Sequence, residues 1–373
     1  MLNQDSHESP VLSKEASSLF WSEQMHAWEY AWGKPNIGLE FKQSPRDFQV
    51  KEQMPVQLTD DGEHYWLFIQ KTRRHTADVA KHLARFANVA YRDVGYSGMK
   101  DYFAQTQQWF SVYKPKGNRP DWQGLNAPGL EVLEFGRHNR KLRRSTHSGN
   151  RFKLTLRGEV LQAQRDIVSE LERRLKIIKR NGVPNYFGQQ RFGRNLSNIT
   201  NAQRFFSQTA KLPRKLNDKQ AIWVSASRAW LFNHVLSNRI KDNNWNRLEA
   251  GEPCNLNATQ SYFISDTNIM SDERLPSGDI HPTGPMWGKY SRRDVDILSA
   301  AQTFLDKERA LLRDYKTMMQ GLENVNLGYK RRSTRCIPQN LDWYFDENSL
   351  VLEFELLSGQ YATSVIREIF LHQ

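Results

Sequence analysis

The chain has 373 residues, and its 53 lysines and arginines exceed its 41 aspartates and glutamates, which gives a formal net charge of +12. This surplus favours a polyanionic partner, nucleic acid first. No run of apolar residues approaches the roughly 20 needed to cross a bilayer, so no membrane partner is expected. The two cysteines, Cys254 and Cys336, lack metal-ligand spacing, and the sequence has no Walker-type loop. Neither a metal nor a nucleotide cofactor is therefore implied, and a reducing cytoplasmic setting is the simpler assumption.

The first half of the chain predicts a sheet with one early helix. Residues 1–36 are polar, carry scattered tryptophans and look like a loosely attached extension. Residues 37–160 read as short strands, with a helix that Thr76 is expected to cap and whose Val79, Leu83 and Phe86 share one face. A second helix follows, and Gly182 is its expected end.

The second half changes character twice. After about residue 210 the pattern is mostly helical, with the strongest helices at 226–240 and 298–319, and strand patterns return after Pro338. This order predicts a mixed sheet whose chain is interrupted by an insertion. The expected domains are an extension (1–36), a sheet domain (37–210 plus 337–373) and an inserted domain (211–336).

The segment 97–109 is the first candidate for chemistry. Gly98 permits a sharp bend or a close backbone approach, and Lys100 and Asp101 follow it. Adjacent residues of an extended segment point to opposite sides, so these two are not expected to pair with each other. Asp101 is the candidate reaction centre, as an exposed and positioned carboxylate; the alternative is an ordinary surface turn.

The segment 185–193 mixes amides, aromatic rings, one arginine and two glycines. Buried amides need hydrogen-bond partners, whereas a planar ligand such as a nucleobase uses both rings and amides. Phe187 is a candidate stacking partner, Asn185 a candidate to orient an acid or a base edge, and Arg191 a candidate to hold a phosphate or a carboxylate. The alternative is a packed turn with Phe187 and Phe192 in the core.

Three further segments contribute candidates. Residues 137–144, here called the basic run, are mostly cationic. They predict a surface that binds RNA phosphates in a strongly salt-dependent way; the alternative is a solvated basic face without a ligand. Phe48 lies in an early strand and Tyr361 just before a short helix, and each is either a core residue or part of the site. The candidate phosphate contacts are Arg137, His138, Arg140, Lys141 and Arg143.

Taken together and in this order, the segments resemble the tRNA pseudouridine synthase D family. The family's Gly-x-Lys-Asp pattern and the Thr-x-Gln-Trp stretch after it fall in 98–109, and its Asn-Tyr-Phe-Gly-x-Gln-Arg-Phe-Gly pattern is complete in 185–193. The basic run, the early Asp-Phe-x-Val-x-Glu and the late Gly-x-Tyr-Ala-Thr-Ser-Val-x-Arg-Glu are also present. The resemblance spans about 33–370. Tyr102 departs from the basic residue that the family usually has after the aspartate.

The resemblance implies an α+β fold: a mixed, largely antiparallel sheet forming the catalytic domain of pseudouridine synthase type, with an inserted α/β domain. It implies conversion of uridine 13 of tRNA to pseudouridine, with no cofactor, no metal and no obligate protein partner. The family's catalytic aspartate falls on Asp101. The family's active-site asparagine and phenylalanine fall on Asn185 and Phe187, and its other site-lining aromatic residues fall on Phe48 and Tyr361. Lys100 and Arg191 are further substrate-binding candidates from the residues themselves.

Two other functions stay open from the residues alone. A non-catalytic RNA-binding or RNA-folding protein would suit the charge and the rings equally well, but it would have no need of Asp101 in a basic groove. An RNA glycosidase or nuclease would typically need a second acid, a histidine pair or a metal. For Asp101 to act ionised, a nearby cation is expected, with Arg191 or Lys100 as the candidate.

Overall fold

The computed structural model describes residues 28–372 except 60, 164, 209–212, 214, 260, 267 and 269–272. The chain divides into two compact units. The sheet unit consists of Pro35–Gly182 and Cys336–Gln373. The insert unit consists of Val183–Arg335 together with residues 28–34.

The sheet unit contains strands from both ends of its sequence and four described helices. Its strands are β1 (Gly38–Phe41), β2 (Phe48–Gln53), β3 (His64–Thr72), β4 (Val94–Tyr96), β5 (Gln105–Tyr113), β6 (Leu130–His138), β7 (Gly149–Arg157), β14 (Gln339–Asp346), β15 (Ser349–Leu357) and β16 (Leu371–His372). Its helices are α1 (Thr76–Phe86), α2 (Val160–Ala163), α3 (Arg165–Asn181) and α10 (Ala362–Arg367).

The main sheet has the order β14-β15-β7-β2-β5-β3-β6, with β1 beside β7 and β16, and β4 beside β5. The pairs β2–β5 and β1–β16 are parallel, whereas β2–β7, β3–β5, β3–β6 and β7–β15 are antiparallel. The predicted mixed, largely antiparallel sheet is therefore confirmed. The strands that follow Pro338 complete it, because β15 pairs with β7 along its length.

Helix α1 packs against one face of the sheet. Val79 and Leu83 are fully buried in one cluster with Leu67 of β3, as the helical spacing predicted, although Phe86 stays 38% exposed. Thr76 does not cap this helix but is its first residue. Its hydroxyl instead binds the loop that carries Asp101.

Helix α3 ends where the sequence predicted. Gly182 has a left-handed φ of 77°, and its amide donates to Ile178 O at 2.8 Å. A glycine adopts this conformation without the steric penalty that a β-carbon adds. The chain then leaves the sheet unit.

The insert unit combines a long buried helix with a small antiparallel sheet of order β10-β9-β11-β12. Its helices are α4 (Ser197–Gln208), α5 (Asp218–Lys241), α6 (Arg274–Ser277), α7 (Arg292–Leu298), α8 (Gln302–Leu311) and α9 (Lys316–Asn324). Its strands are β8 (Val183–Pro184), β9 (Pro253–Leu256), β10 (Tyr262–Ile264), β11 (Ile280–Met286) and β12 (Lys330–Ser333), and β13 (Arg335–Cys336) spans the point where the chain returns.

Two sequence-based expectations for this unit were wrong in detail. The stretch 298–319 is not one helix, because the backbone leaves helical geometry at Ala301 and Leu312, both almost fully buried. The local pattern, which is mostly helical, does not indicate the small sheet, because β11 contains Pro282 and Pro285, and proline normally argues against an inner strand. The sheet agrees with the α/β insertion that the family resemblance implied.

The described part of the N-terminal segment is not loosely attached. Trp28 is 6% exposed, its ring stacks on Tyr186 at 5.7 Å, and it meets the edge of Phe192 at 5.4 Å. Trp32 packs against Trp245 at 5.7 Å. Trp28 therefore belongs to the core of the insert unit, and residues 28–34 are part of that unit. Residues 1–27 of the predicted extension lie outside the described residues.

Candidate active site

Asp101 lies in the loop between β4 and β5, and its carboxylate is accessible. The side chain is 40% exposed, and Oδ2 accepts a hydrogen bond from Lys42 Nζ at 3.0 Å. The other oxygen, Oδ1, has no partner among the described residues of the chain. The loop thus presents an anion with one oxygen held by a cation and one open to a ligand.

Lys42 contacts both Asp101 and Phe48, another residue that was predicted to belong to the site. It directly follows β1, and its Nζ lies 3.9 Å from the ring centroid of Phe48, so the ammonium contacts both the ring and Asp101. Phe48 is 5% exposed and meets the edges of Phe41 and Phe152. Phe48 is therefore a core residue that also borders the Asp101 carboxylate through a shared cation.

Lys100 points away from Asp101, as the alternation predicted. Its Nζ lies 3.1 Å from Glu52 Oε2 and also donates to Asn150 Oδ1, and the side chains of Lys100 and Glu52 are 6% and 0% exposed. Burial lowers the pKa of Lys100, and the charge of Glu52 opposes this shift. Of the two cations proposed as partners of Asp101, Arg191 and Lys100, Lys100 therefore does not pair with it, and Lys42, which was not predicted, does.

Buried side chains fix the backbone of the Asp101 loop at several points. Lys71 Nζ donates to Asp101 O at 2.8 Å, and Thr76 Oγ1 accepts the Lys100 amide at 3.0 Å. The same hydroxyl donates to Gln108 Oε1 at 3.0 Å, and Gln108 Nε2 donates to Gly98 O at 3.1 Å. Three of these contacts satisfy a backbone group that a loop would otherwise leave to water, and the contact between Thr76 and Gln108 joins two of the side chains that make them.

His147 connects this loop to the segment that leads to Tyr361. Its Nδ1 lies 2.6 Å from Ser97 Oγ, and its Nε2 lies 3.4 Å from Ser358 Oγ. Burial lowers the pKa of His147, and the charge of Lys100 adds to the effect. Tyr361, three residues beyond Ser358, is partly buried at the N-cap position of α10.

The basic run divides into an anchored part and an exposed part. Arg137 donates to Gly62 O at 3.0 Å with its guanidinium 3.9 Å from the ring centroid of Tyr65. His138 stacks on Trp66 at 4.2 Å, and burial lowers its pKa. Four cationic residues of the run are exposed: Arg140, Lys141, Arg143 and Arg144.

The Asn-Tyr-Phe-Gly segment begins the insert unit and is held from within it. Asn185 is 3% exposed; its Nδ2 donates to Ser333 O at 2.9 Å, and its Oδ1 accepts from Arg332 Nη2 at 2.6 Å. Phe187 is 7% exposed, with the Arg332 guanidinium 4.1 Å from its ring centroid. Arg191 donates to Ser225 Oγ at 3.1 Å and lies 5.6 Å from the ring of Phe187.

Asn233 fixes the position of Phe187 in the chain. It is fully buried on α5, and its carboxamide accepts the Phe187 amide and donates to the Phe187 carbonyl, both at 3.0 Å. Neither Asn233 nor Arg332 was predicted from the sequence. An asparagine inside an otherwise apolar helical stretch was the available signal, because such a side chain needs a buried partner.

The described residues, 28–372 with their internal gaps, contain no cluster of three or more His, Cys, Asp or Glu side chains arranged to hold a metal ion. Among those same residues, no helix combines the length and apolarity that crossing a membrane requires.

Comparison with known proteins gives consistent matches. The family model described as "tRNA pseudouridine synthase D (TruD)" matches residues 24–202 and 196–369. The curated tRNA pseudouridine synthase D of Hydrogenovibrio crunogenus is 35% identical over 342 residues, covering 91% of this chain and 95% of that protein. The one from Nitrosococcus oceani is 40% identical over 329 residues, covering 87% and 88%. The family resemblance predicted from the sequence is confirmed.

One solved structure supports the fold independently. A crystal structure presented as a candidate tRNA pseudouridine synthase D from Methanosarcina mazei superposes with a TM-score of 0.68 and covers 93% of this chain and 98% of that chain. Its sequence is 18% identical, so this likeness concerns the fold alone.

Proposed function

The chain belongs to the tRNA pseudouridine synthase D family, and on that premise we propose that it converts uridine 13 of tRNA to pseudouridine with Asp101 as the essential catalytic carboxylate. The proposal depends on the exposure and the hydrogen bonding of the Asp101 carboxylate. It is accessible, paired to Lys42 through one oxygen, and open at the other.

The reaction breaks an N-glycosidic bond, turns the uracil and rejoins it to the sugar through carbon. No atoms are gained or lost, so its stoichiometry requires no cofactor. A carboxylate with a free oxygen can attack the sugar or the base as a nucleophile, or it can accept a sugar proton on a glycal path. Oδ1 of Asp101 is the atom available for either role, while Lys42 holds Oδ2.

Uridine has to leave its stack before this carboxylate can reach it, at a cost of a few kcal/mol that pocket contacts offset. Among the predicted ring contacts, Phe48 borders the Asp101 ion pair, and Phe187 and Tyr361 stay proposals from the family pattern. Asn185 and Arg191 are proposed to contact the substrate, and Lys100 is proposed to act through its buried pair with Glu52.

The exposed part of the basic run is proposed to contact RNA phosphates. Arg140 and Arg143 are free of salt bridges to carboxylates among the described residues, which leaves their guanidinium groups available to phosphate oxygens. Arg137 and His138 are engaged with Tyr65 and Trp66, so they are proposed to shape this surface rather than to reach far from it.

The functional domains are proposed as 37–210 plus 337–373 for catalysis and 211–336 as the family-specific insertion. The compact sheet unit, which carries Asp101, supports a catalytic domain built from two separate stretches of the chain, although residues 183–210 of the proposed domain belong to the insert unit. A cytoplasmic location is proposed because the proposed substrate is a tRNA and because Cys254 and Cys336 form no disulfide.

The test is incubation with unmodified tRNA followed by mapping of carbon-linked uridine at nucleotide resolution. Wild-type protein is expected to modify position 13, and Asp101→Asn is expected to bind tRNA with unchanged affinity and to form no pseudouridine. Asp78→Asn is the matched control, because Asp78 is an exposed aspartate of the same unit that pairs with Lys81 at 3.3 Å.

Two results would contradict the proposal. Pseudouridine formation by Asp101→Asn at the wild-type rate would remove this carboxylate from the chemistry. Tight tRNA binding by the wild-type protein with no pseudouridine at any position would favour the non-catalytic RNA-binding function instead.

A further inference from the structure

Lys71 is a fully buried cation that no carboxylate pairs with among the described residues. It lies near the end of β3 with 0% of its surface exposed. Its Nζ donates to Asp101 O at 2.8 Å and lies 3.5 Å from Lys100 O. Two backbone carbonyls of the Asp101 loop are therefore its hydrogen-bond acceptors.

Burying an ammonium group is expensive, and carbonyl dipoles compensate it less fully than a carboxylate does. The cost is visible in the side chain itself, because burial lowers the pKa of Lys71 to about 8, with the charge of Asp101 opposing the shift and that of Lys100 adding to it. An apolar side chain would fill the same space more cheaply. The Lys71 ammonium instead lies where its hydrogen bonds hold the backbone carbonyls of Lys100 and Asp101.

We infer that Lys71 is a positioning residue for the reaction, and that it sets the direction in which Asp101 presents its carboxylate. This inference rests on the proposed function. Asp101 O is held by Lys71 and Asp101 Oδ2 by Lys42. Since the carbonyl and the side chain leave the same residue, fixing both ends fixes the orientation of the bond that carries the carboxylate.

The Lys71 ammonium also interacts electrostatically with the Asp101 carboxylate. Asp101 and Lys100 are the charges that act on it, and Lys100 is already neutralised by Glu52 at 3.1 Å. The Lys71 charge is thus left to support the anionic Asp101, in addition to the charge of Lys42 on Oδ2. A positioned carboxylate near two cations requires little reorganisation during the reaction.

The experiment compares Lys71→Met and Lys71→Arg with Lys114→Met. Lys114 is the matched control, because its Nζ also donates to a backbone carbonyl of the sheet unit, Ala87 O at 2.9 Å, away from Asp101. Three quantities are measured on each full-length protein: the single-turnover rate of pseudouridine formation, the Kd for unmodified tRNA and the melting temperature.

We expect Lys71→Met to lower the single-turnover rate at least 50-fold (~2.3 kcal/mol) while the Kd changes less than twofold. Lys71→Arg should recover part of the rate, and Lys114→Met should keep all of it. A folded Lys71→Met protein within twofold of the wild-type rate would overturn the inference. A wild-type protein that forms no pseudouridine would instead refute the proposed function.

If Lys71→Met does not fold, the pH dependence of the wild-type single-turnover rate tests the role of Lys71 instead. The wild-type single-turnover rate should fall as the pH rises through about 8, because the ammonium then loses its proton, while circular dichroism shows that the protein stays folded. Lys71→Arg should lack this fall, since arginine stays protonated. A wild-type rate that is constant from pH 7 to 9 in folded protein would overturn the inference.

Discussion

Replacing Lys42 by methionine should separate the stability of the sheet unit from its activity. The side chains of the Lys42–Asp101 pair are 27% and 40% exposed, and ion pairs at such positions contribute about 0–1 kcal/mol to folding. Lys42→Met should therefore lower the free energy of unfolding by less than about 1 kcal/mol. The variant should remain folded at the temperature of the assay.

The effect on the reaction should be larger. Two unit charges 3.0 Å apart interact by about 1.4 kcal/mol at the dielectric constant of water and by about 5.5 kcal/mol at an effective value of 20. The partial exposure of the pair favours the lower part of this range, and each 1.36 kcal/mol corresponds to a tenfold change in rate. If the ion pair holds the carboxylate in its reactive position, the single-turnover rate should fall about 10- to 100-fold.

The assay is single-turnover pseudouridine formation on unmodified tRNA, with urea unfolding of the same preparations. Lys81→Met is the control, because Lys81 forms a comparable pair with Asp78 at 3.3 Å on α1, with both side chains more than half exposed. The control should match wild type in both measurements. A Lys42→Met rate within twofold of wild type would refute the reasoning, as would a loss of stability of several kcal/mol.

Two further predictions concern RNA binding and the insert unit. Changing both Arg140 and Arg143 to glutamine should weaken tRNA binding. It should also reduce the slope of the logarithm of the tRNA binding constant against the logarithm of the salt concentration by about 0.7 to 0.9 for each phosphate that the protein no longer neutralises. An unchanged slope would show that these residues do not contact phosphate. Asn233→Leu removes both hydrogen bonds that the Asn233 side chain makes with the backbone of Phe187. Chemical denaturation should therefore show a loss of about 1–3 kcal/mol in the free energy of unfolding, and the folded variant should turn over more slowly. Equal stability and turnover would mean that Phe187 does not depend on Asn233.

Local sequence patterns predicted the parts of the fold that local chemistry determines. The strand-forming residues in 65–69 predicted β3, and the helical spacing that ends at Gly182 predicted α3, because burial and backbone conformation are encoded there residue by residue. The residue pattern did not indicate the small sheet of the insert unit, which only the family resemblance implied, since Pro282 and Pro285 in β11 contradict the usual strand pattern. The tertiary pairing of β11 with β9 and β12 overrides that preference.

The candidate site was also predictable only where the signals lie within a few residues of each other. Asp101 was predicted as an exposed, positioned carboxylate because Gly98 and the alternation with Lys100 are signals within a few residues. Its partner Lys42 is 59 positions away, and no pattern near Lys42 marks it. Thr76 was predicted as a helix cap, although its hydroxyl binds the loop of Asp101. Such contacts are properties of the folded chain, and a single sequence does not display them.

The place of β15 between β14 and β7 has a consequence for biosynthesis. Until residues 349–357 leave the ribosome, β7 exposes one edge with its amides and carbonyls unpaired, although it was synthesised about two hundred residues earlier. Such an edge can pair with a neighbouring nascent chain. Slow translation of the intervening segment should therefore reduce the soluble yield of the protein, and a chaperone that covers exposed strands should restore it.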